Sequence, residues 1–348
     1  MKESPKNSLL IITQKVDFND DNLGFFHRWI EKFSEKLDKV YVICLAEGKY
    51  NLPGNVIVFS LGKEKGYSKI RQWFRLQKFL LRYLPQVDGV FVHMCPIYGI
   101  LSFPLVKIFK RKMILWYTHG SVSFKLKLAE KLMDGILTAS LSSCRIKNKK
   151  IKVVGHGIDV GLFQPKEKQH SDNFRILFAG RINKTKDQET LIRAVDILVN
   201  RQNIRKIKLR IIGHPLVKSE REYLEGLKGL VKNKKLDDCV EFIDGVPYLK
   251  MPSYLQQADL FVNPSSTGSL DKVVLEAMAA GCLVLTCNEG YRDILADKYL
   301  FERGDAEDLA QKITYLMGAE KDFGLRKIVA ENHNLDNLII KIIQQFHA

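Results

Sequence analysis

The feature that most limits what this chain can fold into is an alternation that runs through it twice. Short apolar, β-rich runs at residues 9–13, 39–45, 55–59, 89–93, 113–118 and 135–138 are separated by amphipathic stretches. After residue 173 the pattern restarts, with runs at 175–179, 207–212, 239–243, 260–263 and 283–286. Runs that are apolar on both faces suit strands covered by helices on both sides, which is how parallel sheets are built. The expected fold class is therefore α/β, with two Rossmann-like, doubly wound parallel-sheet domains in succession.

At 348 residues the chain is longer than one core comfortably serves, in keeping with two domains. The polar, proline-containing segment 164–173 reads as the join. Expected boundaries are an N-terminal domain at 1–160, a linker at 161–173 and a C-terminal domain at 174–330. Residues 331–348 hold a C-terminal helix, patterned over 335–346; whether it packs on its own domain or crosses back is left open. A ligand is expected in the cleft that faces the carboxyl ends of both sheets.

Charge is divided unevenly. Up to Pro165 there are 27 Lys and Arg against 13 Asp and Glu, a surplus of 14, whereas the remainder has 28 against 26, a surplus of 2. A surplus confined to one domain points to an anionic partner there, with plain solubility as the alternative. A nucleic acid is not expected, because no recognised binding module or stacked-aromatic pattern accompanies the charge. A helical pattern over 65–84 sets Arg71, Arg75, Lys78 and Arg82 on one side and Ile70, Trp73, Phe74, Leu80, Leu81 and Leu84 on the other. It reads either as a core-packed helix with a solvated face or as a helix that docks on an anionic membrane surface.

The six cysteines are scattered without Cys-x-x-Cys or Cys/His clusters, so neither a zinc site nor a disulfide framework is signalled. Reduced thiols in a cytoplasmic protein are expected, peripheral on the inner face of the plasma membrane if the basic domain docks there. The apolar run 9–12, although it follows Lys2 and Lys6, is too short for a signal peptide. The stretch 89–106 is nearly uncharged over a span-like length, but His93, Pro96, Gly99 and Pro104 read as a strand, a turn and a helix instead.

Several constellations carry chemistry. A strand stops at Gly180, and Arg181 and Lys186 bracket the loop that follows: a guanidinium fork and a mobile ammonium suit a pyrophosphate. A basic turn after a strand is also, by itself, ordinary solvated surface. The segment 260–264 reads as a strand ending in a loop of small residues that includes Gly268, Ser269 and Leu270. The helix that opens at Asp271 and Lys272 offers its N-terminal N–H groups to phosphate or sugar hydroxyls. Glu276, inside the apolar run of that helix, needs a partner: the two hydroxyls of a ribose or a neighbouring basic side chain would each serve. His119 ends the run Leu115-Trp-Tyr-Thr-His, placed either to meet a ligand or to make a structural hydrogen bond. In the loop after the first strand, Gly24 could admit a phosphate or acceptor close to the backbone, and His27 follows it.

Taken together these motifs resemble the family 4 retaining glycosyltransferases, the glycosyl transferases group 1, which have the GT-B fold of two facing Rossmann-like domains. Gly180-Arg-Ile-x-x-x-Lys186 resembles the family's phosphate motif, with Asp187 where a glycine is usual. Val153-Val-Gly-His-Gly-Ile-Asp-x-x-x-Phe163 resembles its interdomain segment, and Leu275-Glu-Ala-Met-Ala-Ala-Gly281 with Gly290-Tyr-Arg-Asp-Ile-Leu295 its ribose-binding helix and next loop. The resemblance implies that Arg181 and Lys186 hold the diphosphate of a sugar nucleotide, that Glu276 holds its ribose, and that His119 contacts the donor sugar. One departure stands out. The family's first glutamate of Glu-x7-Glu falls on Gly268, and Ser-Leu-Asp-Lys stands at 269–272 where Gly-Phe-Gly and an apolar residue are usual.

The resemblance implies transfer of a sugar from a nucleotide diphosphate sugar, UDP- or GDP-linked, to an acceptor hydroxyl with retention at the anomeric carbon. A lipid-linked or polysaccharide acceptor in cell-surface glycan or glycolipid synthesis would follow. No cofactor is expected, and no Asp-x-Asp lies at a strand end to hold a metal. The missing glutamate leaves a second reading, a nucleotide-sugar-binding protein without transfer activity, and a GT-B-type sugar epimerase is a third.

Overall fold

The structure, a computed structural model, describes residues 7–167 and 170–347. Lys2 and Lys6, Lys168 and Gln169 within the segment read as the linker, and Ala348 lie outside the described residues. The chain divides into two compact units, passing from one to the other between Gly157 and Ile158.

The first unit runs in order through β1 (Ser8–Val16), α1 (Phe25–Ser34), β2 (Lys39–Glu47), β3 (Val56–Ser60), α2 (Lys69–Tyr83) and β4 (Gly89–His93). It continues with α3 (Pro96–Ile108), β5 (Lys112–Trp116), α4 (Phe124–Leu132), β6 (Gly135–Thr138) and β7 (Ile151–Val153). All seven strands are parallel, in the order β3-β2-β1-β4-β5-β6-β7. Leu9, Leu10, Ile11 and Ile12 are all buried, as a strand covered on both faces requires.

The second unit contains β8 (Phe174–Ala179), α5 (Gln188–Asp196), β9 (Ile207–Ile212), α6 (Lys218–Asn233), β10 (Val240–Ile243) and α7 (Met251–Gln257). There follow β11 (Leu260–Asn263), α8 (Lys272–Ala279), β12 (Leu283–Thr286), α9 (Ala306–Met317) and α10 (Phe323–Asn332). Its five strands are parallel in the order β10-β9-β8-β11-β12. The last helix, α11 (Leu335–His347), belongs to the first unit, where it packs on α1 with Lys32 Nζ 3.1 Å from an Asp336 carboxylate oxygen. Each of the eleven expected strand runs coincides with an observed strand to within a few residues.

Three local outcomes have physical causes. The uncharged stretch 89–106 is β4 and most of α3, whose first residue is Pro96, and no helix among the described residues is long and apolar enough to cross a membrane. Strand β7 was not among the expected runs: it is three residues long with Lys152 at its centre and sits at the sheet edge, so no apolar run announces it. Helix α2 corrects the expected split into a cationic and an inward apolar face. Its core side is Leu76, Leu80 and Tyr83, while Ile70, Trp73, Phe74 and Leu81 stay exposed beside the cations. Only one helical stripe can face the sheet, and the spacing 76, 80, 83 claims it. Of the four cations, Arg75 donates to the Ser60 carbonyl at 2.7 Å and Arg71 lies 3.5 Å over the Tyr67 ring. All six cysteines are free thiols, four of them buried.

Candidate functional site

In the second sheet the chain winds outward from β8 through β9 to β10, then returns to the other side of β8 for β11 and β12. The strand order therefore reverses between β8 and β11, the position at the carboxyl ends of the strands where open α/β sheets hold their ligands. Gly180 ends the first of them with φ +155. Beside it Gly213, after β9, comes so near that a Cβ there would lie 1.9 Å from the Gly180 carbonyl oxygen, so only glycine fits.

Lys186 rises from a short 3-10 turn, Lys184–Lys186, whose backbone is pinned by the Asn183 side chain accepting the Lys186 N–H at 3.0 Å. Its ammonium donates to Asp271 Oδ1 at 2.5 Å and to Ser265 Oγ at 3.2 Å. The other Asp271 oxygen, Oδ2, accepts from Asn263 Nδ2 at 2.9 Å and Asn288 Nδ2 at 3.2 Å. Burial alone would raise the Asp271 carboxyl; the charge of Lys186 and hydrogen bonds from Lys186, Asn263 and Ser265 outweigh it, and the group lies below the usual carboxylate range. Tyr291, fully buried, donates its hydroxyl to the Asp271 carbonyl at 2.6 Å. Burial, with the nearby charges of Asp271 and Glu276, drives that phenol well above its ordinary value, so it remains a donor. The two loops are joined again where the Ser266 N–H and hydroxyl donate to the Thr185 carbonyl at 3.0 and 3.2 Å.

The other expected residues of this unit divide differently. Arg181 is turned to Glu220, 2.8 Å away, and its side chain is 42% exposed. The Glu276 carboxylate, in α8, takes Lys272 Nζ at 2.6 Å, one turn earlier on the same helix. Both side chains are largely buried. Burial lowers the Lys272 ammonium, and the charge and hydrogen bond of Glu276, with the charge of Asp159, only partly oppose it. Gly268 has φ +69, a conformation that costs any side-chain-bearing residue, so the backbone itself disfavours the glutamate that the family carries here. Ser269 gives its carbonyl to Asn288 Nδ2 at 2.7 Å, and Leu270 is buried. Asp187, standing where the family has glycine, is also left-handed at φ +49, and its carboxylate caps α5 through Thr190 at 2.7 Å (Oγ1) and 3.3 Å (N–H). Aspartate tolerates that backbone better than most residues and adds the cap.

Three expected residues belong to the first unit. His119 is exposed, with Nδ1 2.8 Å from the Ser121 hydroxyl and 3.1 Å from its N–H. His27 is buried: Nε2 accepts the Asn51 N–H at 3.2 Å and Nδ1 faces Glu31 at 3.4 Å, so both ring nitrogens are engaged. At Gly24 a Cβ would lie 2.3 Å from the Asp20 carbonyl, which makes glycine a packing requirement of the loop. Where β1 meets β4, the reversal point of this sheet, rings predominate. His93 stacks on Phe26 with centroids 3.8 Å apart and faces Thr13 Oγ1 at 3.1 Å, and Trp29 meets Trp116 edge-on at 5.1 Å.

Sequence reasoning did not single out Asn263, Ser265, Asn288 or Tyr291. A signal existed for two of them: Asn263 closes β11 and Asn288 lies two residues beyond β12, both at carboxyl ends of buried strands. Glu220 gave none, because its role depends on α6 bringing it back to Arg181 across 39 residues.

Residues 162–334 match the family model described as glycosyl transferases group 1. Among curated relatives, a D-inositol 3-phosphate glycosyltransferase of Pseudarthrobacter chlorophenolicus is 30% identical over 149 residues, 40% of this chain and 34% of the relative. The capsular polysaccharide biosynthesis glycosyltransferase CapM of Staphylococcus aureus is 27% identical over 226 residues, 59% of this chain and 54% of the relative. The chain thus spans about a third to a half of the length of the curated relatives it matches. Among solved structures, Anabaena HepE in complex with UDP superimposes with a TM-score of 0.76 at 16% identity, covering 98% of this chain and 99% of that one. The likeness establishes the fold, GT-B.

Proposed function

From a chain whose residues 162–334 match the family model of the glycosyl transferases group 1, we propose a transferase that moves a sugar from a nucleoside diphosphate sugar to an acceptor hydroxyl, with retention and without a metal ion. The observation that carries this reading is the pair of cations, Arg181 and Lys186, on the loop that leaves β8 at the reversal of strand order. When a glycosidic bond to a diphosphate breaks, negative charge gathers on the leaving oxygens, and fixed cations lower the barrier most where that charge develops. Attack from the face of the leaving group lets a phosphate oxygen take the acceptor's proton, so no protein nucleophile is needed. Glu276 is the proposed ribose ligand, which requires Lys272 to give way or to share its carboxylate with the hydroxyls. Gly180 and the loop from Gly268 to Lys272 are the proposed donor contacts, and His119 keeps the role of a partner to the donor sugar. Gly24 and His27 are proposed for the acceptor or phosphate side.

The donor base is proposed to be uracil or guanine, and the acceptor lipid-linked or polysaccharide, in cell-surface glycan synthesis. The exposed Ile70, Trp73, Phe74 and Leu81 of α2, flanked by Arg71, Lys78 and Arg82, support contact with an anionic membrane surface. The second reading, a binder without transfer activity, draws on Gly268 and on the carboxylates that already hold Arg181, Lys186 and Lys272.

Transfer from a panel of sugar nucleotides tests the reading, with kcat/KM compared among wild type, Arg181→Ala and Lys186→Ala. Each variant is expected to lose about 2–4 kcal/mol of transition-state stabilisation. Wild-type transfer by both variants would refute it, and nucleotide binding with neither transfer nor donor hydrolysis would favour the binder.

A further inference from the structure

Asp271 occupies the N-cap position of α8, yet its carboxylate makes no capping hydrogen bond to that helix. An aspartate at an N-cap ordinarily accepts from the first-turn amides, and doing so stabilises the helix. Here the carboxylate is diverted, Oδ1 to Lys186 and Oδ2 to Asn263 and Asn288. The donors come from three separate places, the turn after β8, the end of β11 and the loop after β12, so the carboxylate ties together the loops at the reversal point. An ammonium has three N–H bonds. Among the described residues Lys186 Nζ finds two acceptors, Asp271 and Ser265, which leaves one N–H over.

We propose that Asp271 is a positioning residue: it aims Lys186, converting a mobile point charge on a flexible stem into a donor with one fixed N–H for a ligand phosphate. The proposal rests on the reading that Lys186 meets the diphosphate. Both oxygens of the Asp271 carboxylate are already engaged by Lys186, Asn263 and Asn288, so in this proposal Asp271 stands in for the absent first glutamate indirectly, through the lysine. The opposite role is equally concrete: a carboxylate that competes with phosphate for the same ammonium. The two roles predict opposite signs when the charge is removed.

Asp271→Asn keeps the shape and removes the charge, and two readouts separate the possibilities. In protein without added ligand, acetylation of Lys186 Nζ, mapped by mass spectrometry, should speed up several-fold as the amine loses its charged anchor. Inorganic pyrophosphate should bind about tenfold more weakly, as for loss of one charge-assisted contact. Adding Lys186→Ala should then cost less than it does in the wild type, because a lysine no longer aimed has less to lose. Asn288→Ala, which removes one support of the carboxylate, should move both readouts the same way by less, and it serves if Asp271→Asn does not fold. An unchanged Lys186 acetylation rate, or tighter pyrophosphate binding by Asp271→Asn, would overturn the proposal. If the wild type itself ignores pyrophosphate, the diphosphate reading fails, while the acetylation rate still decides whether Asp271 restrains Lys186.

Discussion

Where β1 meets β4 in the first sheet, the chain packs Phe26, Trp29 and His93 ring against ring; where β8 meets β11 in the second, the same reversal of strand order gathers Lys186, Asp271, Asn263 and Asn288. The strands run in corresponding order, 3-2-1-4-5 counted within each unit, before the first sheet adds two more. Topology alone thus supplies a reversal point twice, but the side chains fill one with an aromatic cluster and the other with charge held by hydrogen bonds. The first arrangement gains from burial and ring contacts and has little to exchange with a phosphate. The second gives each cation a carboxylate partner, Glu220 for Arg181 and Asp271 for Lys186, and under the proposed function a ligand phosphate would compete with those carboxylates.

The comparison can be broken most severely at Phe26, which is fully buried and stacked on His93. Phe26→Ala should cost about 3–5 kcal/mol of stability in denaturant unfolding, as for other buried aromatics cut to alanine. A loss under 1 kcal/mol would mean the cluster is not a core.

Next in size is Lys272→Met, which strands the buried Glu276 carboxylate and should destabilise by about 3 kcal/mol. The double variant Lys272→Met/Glu276→Leu removes both charges and should recover part of that loss, since a buried pair is expensive mainly when one member is left alone, while the buried Asp159, whose charge also acts on Lys272, still loses its cation. A double variant as unstable as the single would show that the pair is more than mutual compensation.

The smallest effect on stability is expected at Trp73, on the exposed side of α2. Trp73→Ala should shift stability by no more than about 0.5 kcal/mol. It should nevertheless weaken sedimentation with anionic liposomes at low salt, where the flanking cations are least screened. Failure of the wild type to sediment would remove the membrane role from this face.

The fold was legible because its signal is redundant: each buried strand carries its own apolar run, and eleven such runs need no long-range information to be seen. Strand β7 shows the limit, since an edge strand of three residues built around Lys152 owes its existence to its neighbour β6. Helix α2 shows another, because a sequence with apolar residues on more than one side does not say which stripe the sheet will claim. At the site, Arg181, Lys186 and Glu276 were visible as residue types at telling positions. The partner of Arg181 was not, because Glu220 reaches it from 39 residues further along the chain, a separation that local spacing does not encode. The departures from the family pattern proved informative in a physical sense: Asp187 and Gly268 both sit in left-handed backbone, where aspartate and glycine are tolerated and glutamate is disfavoured.

The claim that everything here depends on is that the β8–β11 reversal point binds a diphosphate through Lys186. Calorimetric titration of the full chain with UDP and with GDP, for wild type and Lys186→Ala, tests it most directly. Saturable binding of at least one of them by the wild type, weakened about tenfold or more in the variant, is the predicted result. Equal affinity in the two proteins, or no binding by the wild type, would contradict it.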